Sequence, residues 1–251
     1  MTISISAGSV FDENKFVLPH FSPHLKQRYS FHSSRNAASI LKNRSPDQFD
    51  MICATLEKFD IWAGEIRRPG GSETTFTKRF GDIAGIEGWH QQVHIEADLE
   101  VRLLEGKRKT SAKQIAKVLR EDFIHNHYVD FWSDRVAFDY EWNSKDQTYD
   151  RDLFAFRSFF EAGIIDLGVI VTRDLENDFF ASLGHALDKT DTEKQSTVKD
   201  KFGASTTGIA KLMSRIEAGR AGGCPVLAIG IKPETVIPDI VLPNTRFCTL
   251  K

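Results

Sequence analysis

The stretch "YVDFWSDRVAFDYEWNSKD", residues 128 to 146, sets three acids, Asp130, Asp139 and Glu141, among aromatic and β-branched neighbours. Side chains alternate across a strand, so Asp139 and Glu141 would share one face of "RVAFDYEW" while Val136, Phe138, Tyr140 and Trp142 share the other. Two carboxylates side by side in a partly desolvated place repel each other unless a cation neutralises them. A hard divalent ion such as Mg²⁺ takes a few carboxylate oxygens and keeps waters for a substrate. Asp130 stands just before a reversal expected at Ser133 and Asp134, so a hairpin would bring it opposite the pair and complete a three-carboxylate metal site. The alternative is that these acids lie on a solvated sheet edge or pair with Arg135 and Arg151.

The elements that must position these acids follow from periodicity. "SPDQFDMICATLEKFDI" has a capping Ser45, a Pro at the first helical position and Phe49, Ile52, Leu56 and Phe59 at helical spacing, which predicts a helix over 46–61. Pro69, Gly70 and Gly71 make a turn, and Phe76, Phe80 and Ile83 predict a second helix over 74–87. In "EGKRKTSAKQIAKVLR", Ile115, Val118 and Leu119 share a helical face crowded by Lys and Arg, which predicts a basic amphipathic helix between 105 and 120 preceded by a basic loop. The second half reads as strand, strand, helix, strand, helix, strand: the stretch around Asp130 before the reversal, then "RVAFDYEW", "DRDLFAFRSFFEAG", "IIDLGVIV", "TTGIAKLMSRIEAG" and "CPVLAIGI", with a polar, mobile stretch at 184–203. That order implies an α/β sheet covered by helices, its central strands apolar on both faces. Residues 1–27, with Pro19 and Pro23, read as an N-terminal extension before a single domain over 28–251.

Composition excludes several classes. With 41% hydrophobic and 27% charged residues over 251 positions, the chain is neither disordered nor fibrous. Its apolar runs fall short of the ~20 residues that cross a bilayer, and its start lacks a signal peptide's basic and apolar regions, so a cytoplasmic location with no membrane partner is expected. Cys53, Cys224 and Cys248 are odd in number and widely spaced, which suits core or inert thiols and not a disulfide framework or zinc knuckle. His90 with His94, and His125 with His127, lack the helical metal-binding arrangement and read as surface or packed residues. No glycine-rich phosphate loop is present, so no nucleotide cofactor is expected. A net charge of −2 confines any polyanion site to a local patch.

The acids and their neighbours resemble the core of the PD-(D/E)XK nucleases, and within them the restriction endonuclease group containing BamHI, BglII and BstYI, in which Glu or Gln replaces the motif's last Lys, as Glu141 does here. "GW" at 88–89, "DRVAFDYEW", "IIDLGVIV", "STTGIAKLMSRIEAGR" and "PVLAIGI" follow in the order of that group's landmarks, over roughly residues 28 to 232. The resemblance implies a restriction-endonuclease-like core with a mixed central sheet flanked by helices. It implies Asp130, Asp139 and the backbone carbonyl of Tyr140 as Mg²⁺ ligands. Glu141 would be a ligand-positioning group or general base. Gln92, three residues after Trp89, stands where relatives carry an acid or amide, although BamHI has glutamate there.

The implied activity is site-specific, Mg²⁺-dependent cleavage of double-stranded DNA by a homodimer at a short palindrome, GATC-centred in the relatives, leaving 5′ phosphates. Such cleavage needs an in-line water, neutralisation of charge on the phosphate and a proton for the leaving oxygen. A catalytically silent DNA-binding protein that keeps the fold is the alternative. Through the resemblance, base readers would be Asn143, Ser144 and Lys145 after the acidic strand, Ser205, Thr206 and Thr207 in the loop before the helix near Gly208, and Arg151. Each has an ordinary alternative as turn former, helix cap or surface ion pair. Lys107, Arg108 and Lys109, continued by Lys113, Lys117 and Arg120, form the densest basic group, either a phosphate-binding patch or a solvated helix face. The helices at 46–61 and 74–87 are candidates for the dimer interface, or ordinary core.

Overall fold

The computed structural model describes residues 9–68, 74–185, 197–202 and 205–238, with side chains for all of these except residues 109, 124–126 and 177. The turn expected at Pro69, Gly70 and Gly71, most of the polar stretch 184–203, and Cys248 lie outside that range.

Short helices α1 (Asn14–Val17) and α2 (Pro23–Arg28) lead into strand β1 (Tyr29–Ser34), helices α3 (Ala37–Arg44) and α4 (Pro46–Lys58), strand β2 (Ile61–Trp62) and helices α5 (Ala63–Arg67) and α6 (Thr75–Ile86). Then come β3 (His90–Glu105), β4 (Lys113–Ser133), β5 (Val136–Glu141), α7 (Thr148–Glu161), β6 (Leu167–Arg173), α8 (Asn177–Ser182), α9 (Val198–Lys201), α10 (Ile209–Glu217), β7 (Val226–Ile231) and β8 (Val236–Ile237). The main sheet is mixed, in the order β1-β7-β6-β5-β4-β3. β5, β6 and β7 run parallel, while β1, β4 and β3 are antiparallel to their neighbours. The parallel centre is buried on both faces, which is why "LGVIV" and "VLAIGI" read as unbroken apolar runs. The expected α/β fold with a mixed sheet between helices is therefore present.

Helices α7 and α10 cover one face, where Tyr149, Leu153, Phe156, Leu212 and Ile216 pack with Ala137, Ile170 and Ala228. The other face carries Phe138, Tyr140, Trp142, Val169 and Ile229 against Phe49, Ile52 and Leu56 of α4 and Phe76 and Phe80 of α6. The apolar stripes of α4 and α6, candidates for a dimer interface, are thus core. Ser45 sits at the N-cap of α4 but makes no side-chain capping bond; Pro46 alone marks the start. Of residues 1–27, read above as an extension, 9–27 are described. Val17, Phe21 and Leu25 are buried in the same core, with Phe21 stacked on Phe31 at 3.7 Å.

Gly168 in β6 lets α7 approach closely, since a Cβ there would lie 2.1 Å from the Phe156 ring. Phe156 is fully buried and has nowhere to move. Gly168→Ala is expected to cost about 1–3 kcal/mol by overpacking, read as a lower Tm in thermal melting.

The helix expected over 105–120 is not formed. Residues 90–133 make a long antiparallel ribbon, β3 with β4, paired through Val101↔Val118 and Arg102↔Lys117 and turned at Gly106 and the single 3-10 turn Lys109–Ser111. The spacing of Ile115, Val118 and Leu119 suits one helical face, but the stretch also alternates adequately as a strand. The partner strand, remote in sequence, decides. Glu100 on β3 accepts from Lys117 of β4 at 2.7 Å and from Arg102 at 2.5 Å. Beyond the sheet the ribbon is an arm with Leu99, Val101, Leu103, Val118 and Leu119 exposed.

Candidate active site

The arm's root and β5 bring the sequence-predicted acids together. β4 turns back at Asp134, in the left-handed region, so that Phe131 faces Phe138 and Ser133 faces Val136. Across this hairpin the two aspartates interlock. The Asp130 amide donates to Asp139 Oδ1 at 2.9 Å, and the Tyr140 amide donates to Asp130 Oδ2 at 3.0 Å. Each carboxylate is therefore anchored by one oxygen on the other's strand, a charge-assisted arrangement that fixes both. On the opposite face, Tyr140 stacks on Phe80 at 4.1 Å and Trp142 meets Phe76 edge-on at 4.7 Å, so the strand cannot rotate. With its ring buried there, Tyr140 can offer the acidic side only its backbone carbonyl.

Gln92 joins them. Its Nε2 donates to Asp130 Oδ1 at 3.0 Å from a backbone with φ +51°, at the position in β3 opposite Asp130. A non-glycine residue held in the left-handed region costs on the order of 1 kcal/mol, strain of a kind that concentrates at functional sites.

Asp139 is 3% exposed and Glu141 is also buried, and a further buried acid, Asp152 of α7, lies with them. Burial first, then the charges of Asp152 and Asp130, hold the Asp139 carboxyl well above the usual range. Burial, then Asp152, pushes Glu141 up to about 7, against a hydrogen bond from Ser144. Asp152 is pushed up to about 6 by burial, opposed by the Arg151 guanidinium, whose Nε and Nη2 donate to its Oδ1 at 3.0 and 2.9 Å. One oxygen of each acid, Asp139 Oδ2, Glu141 Oε2 and Asp152 Oδ2, is buried without a hydrogen-bond partner. Arg135, considered above as a partner for the acids, instead binds Asp166 at 2.8 Å.

Asp152 did not stand out in the chain as an acid of interest. The signal was there: it falls on the apolar stripe Tyr149, Leu153, Phe156 and Phe159 of α7, where a solvated acid does not belong.

The donor set fits a hard divalent cation, being all oxygen, clustered, buried and short of positive charge. Among the described residues, no three His, Cys, Asp or Glu side chains are already arranged around one ion. The anchoring amides take Asp139 Oδ1 and Asp130 Oδ2, which leaves Asp139 Oδ2 without a partner.

Residues 29–231 match the family model described as restriction endonuclease BglII/BglIII. The chain belongs to that family. It is a type II restriction endonuclease, a hydrolase. A solved structure, "Crystal structure of restriction endonuclease BGLII complexed with DNA 16-mer", is similar at 11% identity and a TM-score of 0.49, covering 82% of this chain and 76% of that one. No curated protein matches the chain. Among the described residues no helix is long and apolar enough to cross a membrane.

In this BglII/BglIII family member the other expected site residues fall into two places. The loop after β5 and the loop before α10 are laced together: Lys145 bridges Thr206, the Asp146 amide donates to Ser205 O at 2.9 Å, and the Thr207 amide donates to Ser144 O at 2.9 Å. Asn143, Ser144, Lys145, Ser205 and Thr206 therefore form one rim beside Glu141. Thr207 is fully buried and is not placed to reach a base.

Arg173, which sequence reasoning missed, clamps this rim. Its Nε donates to Thr207 O at 2.5 Å and its Nη2 to Thr206 Oγ1, while Phe180 and Phe202 stack on it. Tyr149 ties the rim to the acidic strand, because the Gly208 amide donates to its hydroxyl, which bonds Thr172, which donates to Glu141 O at 2.7 Å.

Lys107 and Arg108 are exposed at the tip of the arm, away from the acids; the Lys109 side chain lies outside the described set. Lys117 pairs with Glu100 and Arg120 covers Phe123, so the basic group is strung along a ribbon and not gathered on one helix face. His94 stacks on Tyr128 at 4.6 Å, and His127 packs edge-on against Phe159 with its ring held down to about 4 by burial, so both are packing residues. Cys224 is buried and Cys53 partly so, as free thiols.

Proposed function

We propose that this restriction endonuclease hydrolyses phosphodiester bonds of double-stranded DNA at a short palindromic site, with Mg²⁺ as cofactor and 5′ phosphates as products, acting as a cytoplasmic homodimer. The observation that carries the reading is the set of buried, unpartnered oxygens of Asp139 and Glu141 beside Asp130 at the end of a hairpin. Such charge is tolerable where a divalent cation is to be bound, and the cation in turn attracts a phosphate.

Asp130, Asp139 and the Tyr140 carbonyl would hold the ion, which when bound supplies Lewis-acid stabilisation of the scissile phosphate. Glu141, whose raised proton affinity is matched to neutral pH, would take a proton from the attacking water at Oε2. Gln92 keeps Asp130 oriented through Nε2. Asn143, Ser144, Lys145, Ser205 and Thr206 are the base-reading candidates, with GATC-centred sequences the first to test, while Arg151 directs Nε and Nη2 to Asp152. A palindrome presents one scissile bond on each strand, so two copies related by a twofold axis bring one site to each. Their interface lies outside the buried stripes of α4 and α6; analytical ultracentrifugation reads the assembly directly.

The deciding experiment incubates purified protein with mixed-sequence plasmid and Mg²⁺. Discrete fragments support the proposal, and sequencing their ends gives the site and cut position. A smear indicates a nonspecific nuclease, and gel retardation without cutting indicates a silent DNA-binding protein.

Lys107→Ala and Arg108→Ala test the arm as a phosphate contact. Each is expected to weaken binding equally across DNA sequences and to reduce the slope of log K against log salt by about 1.

A further inference from the structure

We propose that Asp152 is the fourth carboxylate of the cation site lined by Asp130, Asp139 and Glu141, a partner of the ligands Asp130 and Asp139 towards a divalent ion and not half of a structural ion pair with Arg151. The inference rests on the metal-binding reading of those three acids. Asp152 comes from a different element, α7, which crosses the sheet face that carries Ala137, Asp139 and Glu141. Its position on the helix is a core position: Tyr149 precedes it on the same stripe, Leu153 and Phe156 follow, and an apolar residue would pack there without an electrostatic cost.

The pair with Arg151 is lopsided. Neighbouring residues on a helix do not face each other, and the Arg151 side chain is 64% exposed while that of Asp152 is 1% exposed. The guanidinium reaches back and takes only Oδ1, by two bonds. Oδ2 stays buried without a partner, as do Asp139 Oδ2 and Glu141 Oε2. Its charge bears on both of those groups, so the three orphaned oxygens belong to one neighbourhood. Four acids against one guanidinium leave a negative excess that a divalent cation would complement. Arg151 would then serve as a positioning residue, fixing Oδ1 so that Oδ2 remains available.

The test titrates Mn²⁺ into the full-length protein without DNA, following free Mn²⁺ by electron paramagnetic resonance, and melts the same samples in EDTA. Asp152→Asn is expected to weaken Mn²⁺ binding about tenfold or more while leaving the melting temperature in EDTA equal to or above that of the wild type. Asp152→Ser, which removes the carboxylate without an amide to misplace, supplies the same readout if the Asn variant does not fold. Wild-type Mn²⁺ affinity in these variants overturns the assignment, and a lowered melting temperature in EDTA alongside it identifies Asp152 as structural. Loss of Mn²⁺ by Asp139→Asn in that case leaves the three-acid reading standing. A wild-type protein that binds no Mn²⁺ sinks both.

Discussion

Asp139→Asn is expected to lower plasmid cleavage about a thousandfold, a loss of roughly 4 kcal/mol of transition-state stabilisation. The substituted amide keeps an oxygen where Oδ1 now accepts the Asp130 amide, so the β4–β5 hairpin retains its anchor. What disappears is the second oxygen, buried without a partner, and the negative charge. Because that charge is desolvated and sits beside Asp152 and Asp130, its removal should leave metal-free stability unchanged or raised. Gel retardation of cognate DNA, melting in EDTA and initial cleavage rates on one preparation separate these effects. Full cutting by the variant would remove Asp139 from the metal site.

The acids also set a dependence of metal-free stability on pH. Burial raises Glu141 to about 7 and Asp152 to about 6, both above the values such groups have in an unfolded chain. Between about pH 4 and pH 7 these two acids therefore bind more protons in the folded state than in the unfolded state, and their contribution to stability falls as pH rises through that window, while His127, held down to about 4 by burial, contributes with the opposite sign. The contribution of the two acids is fully present below about pH 4 and lost above about pH 7. For Glu141 it amounts to something on the order of 3 kcal/mol. Asp166, held below the usual range by Arg135, acts with the opposite sign, but its contribution is lost only as pH falls below the ordinary aspartate range.

Melting in EDTA at pH 5, 6, 7 and 8 should therefore show wild type losing stability relative to Glu141→Gln as pH rises. Saturating Mg²⁺ binds the ionised acids, so the increment in Tm that it produces should grow with pH over the same interval. If wild type and Glu141→Gln show parallel curves, Glu141 is not the buried, proton-hungry group described here.

Local pattern was enough for much of this molecule. β6 and β7 carry apolar runs of strand length, α4, α6, α7 and α10 have helical stripes, and the acids of β5 alternate with aromatics, so the sheet centre and the pairing of Asp139 with Glu141 were readable from periods of two and 3.6. The reversal at Ser133 and Asp134 was also local, and it brought Asp130 opposite.

Where the outcome depended on a partner remote in the chain, local pattern failed. Residues 113–120 have a spacing that suits a helix, and only pairing with β3 makes them a strand. Val17, Phe21 and Leu25 are core because a sheet face needed covering, which their proline-punctuated segment does not announce. Thr207 is buried, and Arg173 clamps the rim, because two loops more than fifty residues apart are laced together. Asp152 enters the acidic cluster because α7 crosses β5. The residue types that carry charge and their alternation on one strand were set by the sequence alone; how many of them share one low-dielectric space, and which lack a counter-charge, was decided by tertiary packing, since desolvation and Coulomb energy depend on distance through space and not along the chain.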